Sequence, residues 1–201
     1  MAGCRALSDP EITQVSIRFR TVRDRAIFIV GLRTGLRVSE LTGTKKNKKT
    51  GELEYVGLRI KDVWQNGKVQ DRIYITKNRM KGGCTTRDIP LHPQAKVVIE
   101  ELILSMGGNP GAEEPLFQWT PGIAMNRFQV HRMLKEAFHR CDFQGKLATH
   151  TLRKSYARKI YGALKHDLLG TRDALGHTDV RNTQRYVDPG KDRVDAAILS
   201  D

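Results

Sequence analysis

The chain has 201 residues, 39% of them hydrophobic, with 35 Lys plus Arg against 22 Asp plus Glu and a formal net charge of +13. A chain this long buries roughly 70% of its unfolded surface, so a single domain can hold its core without disulfides or a structural metal, which excludes a disulfide-stapled secreted module. Cys4, Cys84 and Cys141 are odd in number, lack CxxC spacing and follow no signal-like segment, pointing to a reducing, cytoplasmic setting, and no run approaches the roughly 20 apolar residues of a membrane span.

Residues 1 to 20 read as a lead-in with Ser8, Asp9 and Pro10 as a helix start. Thr21 then opens a helix, because Thr21 with Asp24 three residues on is a capping pattern and Ala26, Ile27, Ile29, Val30 and Leu32 form an apolar segment that must be buried. Gly35 punctuates it, and Arg37 stands at the next helical entry. Residues 42 to 57, with Gly43, Lys45, Lys46, Asn47, Lys48, Lys49 and Gly51, predict an exposed, mobile basic loop. From Leu58 the period changes to two: Leu58, Ile60 and Val63 alternate with charges, Asn66-Gly67 signals a hairpin, Ile73-Tyr74-Ile75 resumes as a second strand, and Arg87-Asp88-Ile89-Pro90-Leu91 returns after Gly82-Gly83. A small antiparallel sheet of about three strands follows, whose second turn carries Lys77, Arg79 and Lys81. Beyond it everything reads helical: Pro93 to Met106, Asn126 to Cys141, Thr149 to Leu164, Leu168 to Leu175, and Asp179 to Val187, with Gly176 between the last two. Asp192 to Leu199 reads as a short amphipathic turn or two. The expected architecture is therefore a mainly helical α+β domain over 1–201.

The positive excess argues for a polyanionic partner, since each Lys or Arg that reaches a phosphate releases condensed counterions. Nucleic acid is the first expectation, with a merely soluble basic surface or an anionic membrane as alternatives. The charges are spread over Arg18 to Arg25, Lys45 to Lys49, Arg72 to Arg87 and Arg153 to Lys159, which suits a groove or clamp better than a disordered arm. Three local patterns could carry chemistry: Thr34-Gly35-Leu36-Arg37-Val38-Ser39-Glu40-Leu41, His150-Thr151-Leu152-Arg153, and Leu175-Gly176-His177 followed by Tyr186. His150 and Arg153, three apart on a helix, project from one face and can converge on one oxyanion. Alone, each pattern is more often a surface histidine, an exposed arginine or a packing tyrosine than a site. His131, His139 and Cys141 lack zinc-ligand spacing, so no metal is expected.

Taken in order, these residues resemble the tyrosine recombinase, or phage integrase, family, whose catalytic domain carries Arg, Lys, His-x-x-Arg, His or Trp, and Tyr along the chain. Arg37 falls in the family's TGLRxSEL motif, His150 and Arg153 in HxLR, His177 in LGH and Tyr186 in RYV, nine positions after His177. The resemblance implies a helical DNA breaking-rejoining fold and a site-specific recombinase that cleaves and rejoins strands through a 3′-phosphotyrosyl intermediate. A type IB topoisomerase-like nicking-resealing enzyme, or a non-catalytic DNA-binding regulator on the same fold, is the rival. The family's lysine lies in the turn before an Arg-x-hydrophobic-Pro-Leu strand, so Lys81 is its counterpart here, with Lys77 the runner-up.

The chemistry accounts for these residue types. A phosphodiester attacked by an oxygen passes through a five-coordinate arrangement with charge on its non-bridging oxygens, which Arg37 and Arg153 can grip through planar forks. Tyr186, with an ordinary pKa of roughly 10, needs a proton acceptor as it attacks, and His150 is the candidate. By the resemblance, Lys81 protonates the departing 5′-hydroxyl and His177 hydrogen-bonds the scissile phosphate. Glu40 can orient the cations, or is simply a carboxylate in the first turn of a helix. No cofactor is implied, because the phosphotyrosine conserves the bond energy. The implied partner is double-stranded DNA, held by a homotetramer in which the segment 188–201 docks in the neighbouring subunit; docking onto its own core is the alternative. Lys45, Lys46, Lys48, Lys49, Lys77, Arg79 and Lys154 are expected DNA contacts. Most members place a helical core-binding domain ahead of the catalytic one, and these 201 residues leave no room for it.

Overall fold

Residues 4–46, 51, 53–76, 79 and 86–187 are described in a computed structural model. Lys48, Lys49, Lys77, Lys81 and the segment from 188 onward lie outside them.

The molecule is organised around a helix whose central turns are apolar on every side. After α1 (Asp9–Ser16), capped by Ser8, α2 (Val22–Thr34) begins at Thr21, whose hydroxyl accepts the Asp24 N–H at 3.1 Å. Ala26, Ile27, Phe28, Ile29, Val30 and Leu32 are all buried, so the middle of α2 must be enclosed, while Arg25 and Arg33 reach the surface. It packs against α5 (Pro93–Ser105) and α7 (Thr149–Ala163). On α5 the buried positions Ala95, Val98, Ile99, Leu102 and Ile103 follow the one-face helical spacing. On α6 (Arg127–His139) Val130, Leu134, Ala137 and Phe138 do the same. Two short helices close the described chain, α8 (Leu168–Leu175) and α9 (Val180–Gln184).

The β structure departs from the three-stranded sheet expected. Among the described residues the strands form separate antiparallel two-stranded ladders. In the basic excursion, β1 (Thr44–Lys46) pairs with β2 (Leu53–Tyr55), so its flanks are ordered ladder rather than loop. Tyr55 is the reason: its ring folds back and its hydroxyl donates to the Leu58 carbonyl at 2.7 Å. The expected strand at Leu58 to Val63 is instead a single helical turn, α4 (Ile60–Val63). There the Asp62 carboxylate accepts the Arg59 N–H at 2.7 Å and closes the turn, and the burial of Ile60 and Val63 is an i,i+3 relation. Asn66-Gly67 makes a tight hairpin, both residues at positive φ, but it joins only β3 (Trp64–Gln65) to β4 (Lys68–Val69). The strand β5 (Arg72–Ile75) pairs with β6 (Arg87–Pro90), as expected of the lysine-bearing turn. A last ladder, β7 (Gln118–Thr120) with β8 (Ile123–Ala124), falls between Met106 and Asn126, where no element was expected; its Pro121-Gly122 turn was the signal available.

Arg79, an expected DNA contact, also has partners within the fold. Its guanidinium, foreseen on DNA, donates to both carboxylate oxygens of Asp62, at 2.9 and 2.6 Å, and to the Gly57 carbonyl. With both side chains largely buried, the pair ties residue 79 to α4.

Candidate active site

Gly35 builds the first half of the site. It ends α2 in the left-handed conformation, φ 62°, and so turns the chain back within two residues. A β-carbon there would lie 2.3 Å from the ring of Tyr156 on α7, so only glycine fits. The reversal makes Arg37 the N-cap of α3 (Val38–Thr42). Glu40, one turn on, is 2% exposed; its carboxylate accepts the Arg37 backbone N–H and the Arg37 Nη1, each at 2.7 Å. Glu40 thus fixes both the backbone and the guanidinium of Arg37.

Arg153 builds the second half. It is 1% exposed, yet it sits on an otherwise core-facing stretch of α7 between Leu152 and Ser155. Its Nη1 donates to the Gly35 carbonyl, and its Nη2 donates to the Leu175 carbonyl at 2.7 Å and to His177 Nε2 at 2.9 Å. One guanidinium therefore ties the end of α2 to the end of α8. Gly176, left-handed at φ 63°, caps α8 and delivers His177 to that fork. Tyr186 follows just past α9, half-buried, its ring 5.4 Å from the His177 ring and 5.9 Å from the Arg153 guanidinium carbon, centroid to centroid or carbon.

Arg37, Arg153 and His150 line one open cleft of about 440 Å³, joined by Arg127, Phe128 and His131 of α6. His150 is exposed at the mouth of this cleft. The structure thus brings together Arg37, Glu40, His150, Arg153, His177 and Tyr186 from the sequence reading. Lys154, the next residue on α7, has a half-buried side chain; Lys45 and Lys46 are on β1; Lys48, Lys49, Lys77 and Lys81 lie outside the described residues.

Arg87 is the residue that sequence reasoning passed over except as a motif marker. It is 6% exposed, its Nη2 donates to the Ala174 carbonyl at 2.7 Å, and its Nη1 is buried without a hydrogen-bond partner. Successive carbonyls of the last turn of α8, Ala174 and Leu175, are therefore each held by a buried guanidinium, where the helix dipole favours cations. A signal existed: β6 alternates buried and exposed, and Arg87 occupies the inward phase shared with Ile89.

Three arginines around one carboxylate make the site electropositive. Burial lowers the Arg153 pKa to about 10, with Arg37 and Arg87 adding to the effect and Glu40 opposing it, so Arg153 remains a cation at neutral pH. Burial also pushes the His177 imidazole down to about 4, assisted by Arg153, Arg37 and Arg87. His177 is neutral in the folded protein, whereas the unfolded chain takes its proton near the ordinary 6.5. The unfolded state then binds the extra proton between these values, so the contribution is complete above pH 6.5 and is lost as pH falls toward 4. Urea unfolding from pH 7 to 4.5 should show wild type losing up to about 1.4 kcal/mol per pH unit more than His177→Asn. Parallel slopes would contradict a buried neutral imidazole.

Such a cluster, a caged arginine pair with a neutral histidine and a tyrosine at its edge, is suited to gripping a phosphodiester beside an oxygen nucleophile. Residues 10–193 match the phage integrase family. The chain is 33% identical over 175 residues to tyrosine recombinase XerC of Pelobacter propionicus, covering 86% of this chain and 50% of that relative. Among solved structures it resembles XerA recombinase with a TM-score of 0.72 at 19% identity, covering 96% of this chain and 61% of that one. It also resembles XerH site-specific recombinase bound to difH substrate in a pre-cleavage complex, with a TM-score of 0.68 at 22% identity, covering 96% and 53%. The chain belongs to the phage integrase family, that of the tyrosine recombinases. It spans about half the length of such relatives. Among the described residues, no helix is long and apolar enough to cross a membrane.

Proposed function

We propose that this chain carries the chemistry of a site-specific DNA recombinase, with Tyr186 as the nucleophile. The observation that carries this reading is the convergence on Arg153: the same guanidinium bonds His177, lies near the Tyr186 ring and shares a cleft with Arg37 and His150. The Tyr186 phenolic oxygen attacks the scissile phosphorus and the bond to the 5′-oxygen breaks, leaving a 3′-phosphotyrosine and a free 5′-hydroxyl. His150 takes the phenolic proton, and Lys81, or else Lys77, returns one to the leaving oxygen. Arg37 and Arg153 stabilise the charge that develops on the non-bridging oxygens, and Glu40 keeps Arg37 aimed. Attack by another strand's 5′-hydroxyl reverses the step, so rejoining needs no cofactor.

The duplex lies across the cleft. The exposed face of α6 extends that surface through Arg127, Phe128, His131, Arg132 and Lys135, with the Arg127 guanidinium 4.7 Å from the Phe128 ring. Lys45, Lys46, Lys48, Lys49 and Lys154 supply further phosphate contacts. The family relative XerH, solved on its difH DNA, supports duplex DNA as the substrate. Strand exchange between two duplexes calls for a homotetramer, in which the segment 188–201 reaches the neighbouring subunit.

The test mixes wild type and Tyr186→Phe with nicked duplexes drawn from DNA flanking the gene and looks for an SDS-resistant adduct. Adduct with wild type and none with the variant is expected. Adduct with both would move the nucleophile elsewhere, and salt-sensitive binding without adduct would favour a regulator over an enzyme.

A further inference from the structure

Thr183 is fully buried on α9, and no part of the mechanism above uses it. Its Oγ1 lies 2.9 Å from His177 Nδ1, and its carbonyl accepts the Tyr186 N–H at 2.8 Å and the Val187 N–H at 3.2 Å. One residue thus holds the histidine by its side chain and the tyrosine's turn by its backbone.

The hydrogen bonds on the imidazole define its tautomer. Arginine has only donors, so His177 Nε2 must accept from Arg153. A neutral imidazole then carries its proton on Nδ1, and Nδ1–H donates to Thr183 Oγ1. In this form His177 serves Arg153 and has no proton at Nε2 to give a phosphate oxygen. Taking up a second proton is opposed first by burial and then by the guanidinium groups of Arg153, Arg37 and Arg87. The remaining route to a donor at Nε2 is exchange of tautomer, in which Nδ1 gives up its proton and Nε2 gains one by way of solvent in the groove that His177 lines with Arg87 and Tyr156. The charge of the site is unchanged by that exchange. It requires a partner at Nδ1 that can accept in one state and donate in the other. A carboxylate would hold the proton on Nδ1, and an amide N–H would forbid it there; a hydroxyl does both by rotating.

We propose that Thr183 is a positioning residue whose hydroxyl lets His177 change from an acceptor for Arg153 into a donor to the substrate phosphate while keeping the ring in place. This rests on the reading of the site as a DNA-cleaving centre. The exchange leaves Arg153 Nη2 and His177 Nε2 as two facing donors, which must part to admit a phosphate oxygen that accepts from both, so grip by the arginine and grip by the histidine arise together.

Nitrogen-15 NMR of the DNA-free protein tests the starting state and needs no substrate. A protonated Nδ1 and an unprotonated Nε2 are expected at His177, and the opposite tautomer overturns the proposal. Thr183→Val removes the hydroxyl at nearly constant shape, and Thr183→Ser keeps it. With the nicked duplex that wild type captures, Thr183→Val should form adduct about tenfold more slowly or worse, with its Kd for the same duplex within about twofold, and Thr183→Ser should recover to within about threefold. Equal rates for Thr183→Val and wild type overturn the proposal, as does failure of Thr183→Ser to recover when it unfolds at the wild-type temperature. Wild type that binds but forms no adduct would instead overturn the reading of the site as a DNA-cleaving centre, a separate failure from a Thr183→Val protein that matches wild type.

Discussion

Arg153→Met should lose strand cleavage altogether and lower the unfolding free energy by about 3 kcal/mol, a cost expected when a buried cation that holds three acceptors is deleted. The side chain is enclosed, and its fork satisfies the carbonyls of Gly35 and Leu175 as well as His177 Nε2. Methionine fills much of the volume and satisfies none of these acceptors, each of which then costs about 1–3 kcal/mol unless water enters. Relief of repulsion from Arg37 and Arg87 offsets part of the loss, which is why the total stays well below the sum. Arg153→Lys separates charge from geometry. A single ammonium cannot span the ends of α2 and α8, so cleavage should still fall by about 10²-fold or more. Urea denaturation and single-turnover adduct formation check both variants. A lysine variant with wild-type rates would show that charge alone suffices.

Gly35→Ala should destabilise the fold by about 3 kcal/mol although it adds one methyl group. Left-handed backbone costs an alanine roughly 1–2 kcal/mol, and the new β-carbon would also sit 2.3 Å from Tyr156 Cδ1, a contact that must be relieved by moving α2 from α7 or by turning the ring out. Either movement displaces the Gly35 carbonyl from Arg153 and the Arg37 side chain from the cleft, so activity should fall further than stability. The pair Gly35→Ala and Tyr156→Ala, taken as a double-mutant cycle, distinguishes the two causes. A coupling of about 1 kcal/mol or more is expected if the ring contributes, and strict additivity would assign the whole effect to the backbone.

Much of this architecture was legible before any coordinates. The capping residues Thr21 and Ser8, the left-handed stops at Gly35 and Gly176, and the one-face spacing along α5 and α6 are local features, and the helices formed where those signals stood. The β segments were less legible. Leu58, Ile60 and Val63 fit a strand period over their first pair and a helical one over their second, and Asp62 accepting the Arg59 N–H decided for the helix. The basic excursion read as loop because its lysines dominate the composition, yet Tyr55 supplies an anchor that composition does not weigh.

The site divides in the same way. The sequence by itself determined which chemical groups were present, in what order, and where the turns that present Arg37 and His177 would fall, because those depend on neighbours a few residues apart. Only the tertiary structure decided that Arg79 is spent on Asp62, that Arg87 joins Arg37 and Arg153 around Glu40, and that His177 meets Arg153 as an acceptor with Thr183 behind it. Arg153 reaches a carbonyl 118 residues away and Arg87 one 87 residues away. Such partners are chosen by burial: once desolvated, a guanidinium must find acceptors wherever the packing of the helices has left them, and no local pattern records where that is.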